Sequence, residues 1–411
     1  MNPLKTLSSV SFFYPSKVLG GAEILFYRLA NIMADDWGVD VYYIDYADGY
    51  VRKLLGTKNK INFLTFDLTN DATGLPCDTV LITPLSSIID VSTYLKKDIF
   101  RVLFWSIHPM GLQSFLEMGF KKLRLEAYMP SLNDLGPELD RLIERKALVF
   151  MDDSNFSCQT GVFKMQTRNP QFLPILCEDA CTKKIYKVSS GVVKLAWLGR
   201  LSIEKTYSLL NILENCNSYL SRYEGFVIEF HVIGKGECSD MIQKFSCHKN
   251  LILIKKTDLS GNELNNYLVE NSDILFAMGT SALEGGSMNL ATVLVDFSYR
   301  PLNSQEKFRW LYETSGYSLG SLAEVTFDKK YSFDDIITVL RNNTVGIHAA
   351  KCYDYYLNNH SPKIVAANIK ICLQETQVTN HDLLTTKFRK YFWINNIRKK
   401  FHYLKTICKK F

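Results

Sequence analysis

Two doubly wound α/β domains are the fold class this sequence predicts, and three observations predict it. Short apolar runs alternate with stretches of helical periodicity, the pattern of parallel sheets covered by helices. The alternation occurs in two series, separated by the charged, serine-containing stretch "DACTKKIYKVSS" at 179–190, which suits an interdomain connection. The 411 residues also exceed what one ordinary core organises and match the size of two domains.

The first series opens with "SSVSFFYPS" (8–16), read as a buried strand, and "AEILFYRLANIMADDWG" (22–38), where Ala22, Leu25, Phe26, Leu29, Ala30 and Met33 share one helical face. Further strands are expected at 39–46, 61–66, 78–84, 100–109 and 147–154. The second series predicts strands at 193–199, 226–234, 251–256, 273–279 and 291–297. In open parallel sheets ligands sit beyond the carboxyl ends of the strands, so the expected site is a cleft between the two halves.

Composition narrows the class. Hydrophobic residues make up 47% and charged residues 22%, which is globular. No apolar run approaches the roughly 18 residues of a membrane span, and the start leads directly into a patterned domain, unlike a cleavable signal peptide. Ten cysteines lie at irregular spacings without a zinc pattern, so free thiols in a cytoplasmic protein are expected. The net charge of +6 resides at one end: 387–411 holds nine Lys or Arg and no acid.

The turn "GRLSIEK" (199–205) follows the strand "VKLAWLG" and opens a helix. An arginine fork and a lysine point charge at a helix N-terminus, where backbone N–H groups are unpaired, suit two adjacent phosphates; a solvated pair of cations is the alternative. Gly20 and Gly21 precede the first helix, allowing close backbone approach to a ligand or a turn needing positive φ. They do not form GxGxxG, so the dinucleotide fingerprint is absent. In "FAMGTSALEGG" the small residues Gly279, Thr280 and Ser281 precede Glu284. Backbone N–H groups here suit phosphate and the carboxylate suits a ribose diol; equally, Glu284 favours a helix N-terminus.

Together "GGAE", "GR" with "EK", "VIGKG" (232–236) and "SALEGG" (281–286) resemble, in order and spacing, the retaining glycosyltransferases of the GT-B fold, family 4, over roughly residues 8–375. The resemblance implies two Rossmann-like domains facing a cleft, and transfer of a sugar from a nucleotide-sugar without a bound metal or other cofactor. It assigns Arg200 and Lys205 to the donor diphosphate and Glu284 to the ribose. Lys255, Lys256 and Thr257 fall where the family's backbone reads the base, and Gly20 and Gly21 border the diphosphate from the other domain. Eight positions before Glu284, where the family usually carries a glutamate that touches the transferred sugar, the chain has Phe276.

His108, at the end of a first-series strand, is a candidate for contact with the sugar or leaving phosphate, with capping beside Pro109 as the structural alternative. Asp152 and Asp153 offer paired acids for an acceptor hydroxyl and are commoner as helix caps. The other histidines show no metal spacing.

In the tail, Ile394, Ile397, Phe401, Leu404, Cys408 and Phe411 recur at spacings of three and four, one apolar helical face opposite the cations, with Trp393 and Tyr403 as interfacial aromatics. Such a helix lies on an anionic leaflet or docks on the first domain. The expected organisation is a first, acceptor domain at 1–185 with helices from about 362 packing back on it, a nucleotide-sugar domain at 190–360, and the basic amphipathic tail. The expected function is extension of a lipid-linked saccharide in O-antigen or capsule biosynthesis, peripheral on the inner membrane, with no nucleic-acid partner. A non-catalytic nucleotide-sugar-binding or assembly subunit and a GT-B sugar-nucleotide epimerase are the alternatives.

Overall fold

The computed structural model describes residues 7–18, 20–55, 60–68, 74–95, 98–186, 191–303, 306–324, 329–393, 395–397 and 400. The chain divides into two compact units, Met1–Ile175 with Val365–Phe411, and Leu176–Ile364.

In the first unit, β1 (Ser9–Phe13), α1 (Gly21–Asp36), β2 (Asp40–Asp45), α2 (Tyr50–Leu55) and β3 (Ile61–Thr65) are followed by β4 (Val80–Pro84), α3 (Ile88–Tyr94), β5 (Arg101–Ser106), α4 (Gly111–Leu123), α5 (Gly136–Glu144), β6 (Leu148–Phe150) and α6 (Asp153–Phe163). All five strand pairings are parallel, in the order β3-β2-β1-β4-β5-β6. The central strands β1 and β4 are buried at every residue, whereas the edge strand β3 exposes Asn62 and Thr65. That contrast is why the central strands read as unbroken apolar runs.

In the second unit, β7 (Val192–Leu198), α7 (Ile203–Arg222), β8 (Val227–Ile233), α8 (Ser239–Gln243), β9 (Leu251–Lys256), α9 (Gly261–Asn271), β10 (Ile274–Ala277), α10 (Thr280–Ser287) and β11 (Ala291–Leu294) repeat the scheme. They precede β12 (Arg309–Trp310), α11 (Phe333–Arg341) and α12 (Val345–Asn359). The order is β12-β11-β10-β7-β8-β9, parallel except for β12, which pairs antiparallel with β11 and was not legible in the sequence. A buried ion pair fixes the connection that carries it: Asp296 accepts two bonds from Arg309, at 2.8 and 2.9 Å, and one from the Ser321 N–H. Lys184 and Tyr186 lie on this unit; the Tyr186 hydroxyl donates to the Asp273 carbonyl and accepts from the Ala291 N–H.

Strand order reverses between β1 and β4 in one sheet and between β7 and β10 in the other. These are the positions where open α/β sheets leave a crevice at their carboxyl ends. The turns carrying Gly20, Arg200 and Gly279 follow β1, β7 and β10 respectively, so all three sit at such a reversal.

After α13 (Pro362–Glu375) the chain is tied into the first unit by backbone pairing. Val102 N–H donates to the Val378 carbonyl, and the buried Asn380 side chain bonds Phe100, Leu95 and Asp98. Phe388 and Tyr391 are buried, and the Tyr391 and Trp393 rings meet Phe120 of α4 edge-on at 6.0 and 5.5 Å. Trp393, expected at a membrane interface, therefore belongs to the packing of this unit. Of the expected amphipathic face only Ile397, half-buried, is described; Ile394, Phe401, Leu404, Cys408 and Phe411, with Tyr403, lie outside the described residues. The nine described cysteines are free thiols, and among the described residues no helix is long and apolar enough to cross a membrane.

Candidate functional site

The second unit gathers most of the expected site on one edge of its sheet. β7 ends at Leu198, Gly199 and Arg200 form the turn, and Lys205 sits in the first turn of α7. The turn is held from the side: Gly199 N–H donates to the Ile233 carbonyl and Leu201 N–H to the Lys235 carbonyl, both at 3.1 Å. This contact explains "VIGKG". A Cβ on Gly234 would lie 2.1 Å from the Gly199 oxygen, and one on Gly236 would lie 2.4 Å from the Leu201 oxygen. Two glycines are what let the β8 loop lie against the cationic turn.

Arg200 is exposed and Lys205 half-buried. Among the described residues neither forms an ion pair. Burial lowers the Lys205 pKa from the ordinary lysine value and the nearby Arg200 lowers it further, with Glu204 acting in the opposite sense. Ser202, the residue before α7, makes no side-chain cap to the helix; its hydroxyl donates to the Glu204 carboxylate at 2.5 Å. Two neighbouring cations stand beside an N-terminus without a side-chain cap, groups of the kind that suit an anion.

The adjacent strand β10 delivers Gly279, Thr280 and Ser281. Gly279 has φ +61° and ψ −141°, a region reserved for glycine, and its N–H donates to the Leu319 carbonyl at 2.6 Å. Thr280 is exposed, Ser281 half-buried, and Glu284 half-buried one turn into α10. Gly285 and Gly286 serve packing: a Cβ on the first would meet Thr292 at 2.4 Å and on the second Leu311 at 2.9 Å, so α10 lies close on the sheet and on its neighbours.

Phe276 is a core residue. It lies inside β10, in register with Trp197 and Val293, and its fully buried ring stacks with Phe230 and Phe333 and meets Phe308 edge-on. The position eight before Glu284 is a core position of the sheet and does not line a loop. Only Met278 and Gly279 separate β10 from α10.

Lys255, Lys256 and Thr257 are exposed at the end of β9, the sheet's edge strand. They share the carboxyl edge with Arg200 but stand two strands from β7, about 10 Å at ordinary strand spacing. The Lys256 ammonium sits 5.4 Å over the Tyr267 ring, and Thr257 donates to Asp258 at 2.7 Å.

In the first unit, Gly20 precedes α1 with φ −145° and no side-chain cap, and neither Gly20 nor Gly21 takes a positive φ. The turn explanation of these glycines therefore falls away. A Cβ on Gly20 would lie 2.7 Å from Glu23 Oε2, while Gly21 has open space. Glu23 is a residue the sequence reading missed: it, and not Ala22, is buried in the first turn of α1, and its charge helps raise the Tyr14 pKa to about 12, behind burial. An acid among apolar helix positions gave no periodicity signal.

His108 is exposed after β5; its Nδ1 accepts the Met110 N–H at 3.1 Å, a local cap, and partial desolvation lowers its pKa. With Nδ1 accepting, the neutral ring carries its proton on Nε2. Asp152 is the N-cap of α6, accepting from Asn155 N–H at 2.7 Å, and burial pushes its pKa up to about 6, with Asp153 adding to the rise. Its cap role is the one the structure displays. Among the described residues no group of His, Cys, Asp and Glu is arranged to hold a metal ion.

No family model matches the sequence, and no curated protein matches it. Solved structures do. A trehalose-6-phosphate synthase, OtsA, superposes with a TM-score of 0.52 at 11% identity, covering 90% of this chain and 99% of that one. The structure described as the N-terminal domain of a Candida albicans trehalose-6-phosphate phosphatase gives 0.50 at 11% identity, over 92% and 99%. TarM matches with a TM-score of 0.43 at 11% identity over 73% of this chain, which spans 56% of the TarM chain. At these identities the likeness concerns architecture, and the chain has the GT-B fold: two Rossmann-like α/β units, similar in fold to a trehalose-6-phosphate synthase.

Proposed function

We propose that the protein is a retaining, metal-independent glycosyltransferase that moves a sugar from a nucleotide-sugar to a lipid-linked saccharide acceptor in O-antigen or capsule assembly. The observation that carries this reading is the pair Arg200 and Lys205 at the start of α7, without ion-pair partners among the described residues and close enough for one to depress the other's pKa. Such a pair neutralises a departing nucleoside diphosphate, the charge that develops in the transition state. The Gly279–Ser281 turn supplies backbone N–H groups, Glu284 accepts from the ribose hydroxyls, and Lys255 to Thr257 border the base. Gly20, Gly21 and His108 are the first unit's candidate residues, and the neutral His108 ring can donate through Nε2. The synthase whose fold the chain shares supports sugar transfer as the reaction class.

Nucleotide release from a panel of UDP-, GDP-, ADP- and CMP-sugars in the presence of EDTA tests the reading. Turnover with one donor, reduced about 100-fold in Arg200→Ala, is expected for loss of one transition-state donor; retention is read from the anomeric configuration of the product by NMR. Turnover that is unchanged in Arg200→Ala contradicts the assignment.

The buried Phe276, in place of the glutamate that the resembled family usually carries, favours a second reading, a nucleotide-sugar-binding subunit without turnover. It predicts binding of a donor with neither hydrolysis nor transfer.

Membrane association is proposed through the cations of 387–411, each contributing about 1 kcal/mol near an anionic surface. Because Phe388 and Tyr391 are core residues of the first unit, deleting the tail would also destabilise that unit. Replacing Arg398, Lys399, Lys400, Lys405, Lys409 and Lys410 with glutamine leaves that packing in place. Loss of cosedimentation with phosphatidylglycerol vesicles is expected, and undiminished binding refutes the role.

A further inference from the structure

The face of the second sheet that α9 covers carries a polar seam. Glu229 and His231, two apart on β8, project to the side opposite the core residues Phe230 and Val232. Lys194 of β7 stands in register with Glu229, and Leu268 is the buried residue of α9. His231 is 2% exposed. Its Nδ1 lies 2.8 Å from the Tyr267 hydroxyl of α9, and its Nε2, buried without a hydrogen-bond partner, lies 3.8 Å from Glu229 Oε2. A carboxylate on that side favours a proton on Nε2, so in the neutral ring Nδ1 accepts from the Tyr267 hydroxyl.

The His231 and Tyr267 rings meet edge-on, with centroids 5.6 Å apart at 70°. Over the Tyr267 ring sits the Lys256 ammonium, 5.4 Å from the centroid. His231, Tyr267 and Lys256 thus form one chain of contacts, running from a buried position in the sheet to the exposed end of β9, where Lys255 to Thr257 stand.

We propose that His231 and Tyr267 are positioning residues for the end of β9: the Tyr267 ring seats the Lys256 ammonium, and a proton on His231 unseats it and weakens nucleotide binding. The effect on binding rests on the assignment of residues 255–257 to the base; the contact chain does not. Protonation acts twice. Nδ1 becomes a donor, so the Tyr267 hydroxyl must turn from donating to accepting. The imidazolium also sets a second positive charge against a ring that Lys256 already occupies, and like charges oppose each other across it. Burial lowers the His231 pKa below the ordinary 6.5; Glu229 on the same strand opposes the shift, and Lys194 of β7 and Lys256 of β9 add to it. From α9 the facing group is the Tyr267 hydroxyl. At neutral pH the ring is therefore uncharged and the seat intact, and the seat is lost only as pH falls below 6.5.

The affinity of the full chain for UDP-glucose, GDP-mannose and ADP-glucose tests this, because their phosphates are diesters and do not titrate over about pH 5–8 as a terminal phosphate does. The donor bound at neutral pH should bind about two- to fivefold more weakly once His231 is protonated, the loss of one exposed cation–ring contact. The His231 imidazole resonance, followed by NMR, marks that point. The step should be absent from His231→Gln and from the surface variant Lys256→Met, both of which leave the titrations of His108 and Asp152 in place; melting temperatures control for folding. Selective 15N-lysine labelling reads the coupling without ligand: the Lys256 amide, assigned by its loss in Lys256→Met, should shift with the midpoint of the His231 ring. A Lys256 amide that does not follow His231, a His231 ring that takes up no proton before the fold is lost in acid, an affinity unchanged while His231 titrates, or a step that survives in both variants overturns the proposal. A Lys256 amide that follows His231 in a protein that binds no nucleotide-sugar leaves the contact chain standing and refutes the transferase reading.

Discussion

Replacing Lys205 with methionine, of similar length and uncharged, should make the protein more stable and a worse binder at once. The folded state holds the Lys205 pKa below the ordinary 10.5, through burial first and Arg200 second. A lysine so depressed binds its proton less readily in the folded than in the unfolded chain, so stability rises as pH climbs from the folded pKa toward 10.5. At neutral pH the whole deficit is present, and Lys205→Met removes it. The gain should vanish by strongly alkaline pH. A ligand at 100 times its Kd stabilises by about 2.7 kcal/mol, and a tenfold weakening at the same concentration leaves about 1.4 kcal/mol. For a unit of this size each kcal/mol moves Tm by about 2–4 °C. A diphosphate-induced shift of about 5–11 °C should therefore fall to about 3–6 °C in Lys205→Met, read by thermal denaturation of both proteins with and without UDP or GDP. A variant whose free form melts lower at neutral pH while its ligand shift is unchanged would refute the reasoning, because Lys205 would then be a structural cation.

Three further outcomes are expected. Gly279→Ala forces a side chain into φ +61°, ψ −141° and should cost about 1–3 kcal/mol in urea denaturation, whereas Gly21→Ala, with open space around its Cβ, should cost little. Asp152→Asn keeps a good N-cap and removes a carboxylate whose pKa is raised to about 6. The raised value makes wild-type stability fall as pH rises from the ordinary aspartate range through 6, so the variant should be the more stable above pH 6, by about 3 kcal/mol at most, and should match wild type at pH 4. Arg309→Met removes both guanidinium bonds to the buried Asp296, leaving it to Lys329 at 3.1 Å and the Ser321 N–H, and should destabilise the second unit by about 1.5–3 kcal/mol, measured by the same denaturation.

Much of the fold was legible because parallel strands buried on both faces leave continuous apolar runs, as in "VLITP" and "ILFA". β12 was not, because a two-residue strand bearing the buried Arg309 has no such run and depends on Asp296 for its place. The cations at 200 and 205 were legible as a strand-to-helix turn. Their support by Gly234 and Gly236 was visible only as a motif, since the approach of one loop to another is not encoded in the spacing of either. Phe276 shows the converse. The residue eight positions before Glu284 was legible as a phenylalanine but its place was not: the intervening chain is the end of β10, a two-residue turn and the first turn of α10. Glu23 entered the sequence analysis only as the last letter of "GGAE", and its burial follows from the packing of α1 beside Tyr14 and Tyr43.

The most direct test of the account is calorimetric titration of the full chain with UDP, GDP and ADP in EDTA, each compared with its nucleoside monophosphate. The account predicts that one diphosphate binds without divalent metal, more tightly than its monophosphate by about tenfold or more, as one additional charge-assisted contact of about 1.5–3 kcal/mol requires, and that Lys205→Met erases the difference. Binding that appears only when magnesium is added, or equal affinity for mono- and diphosphate, would contradict it.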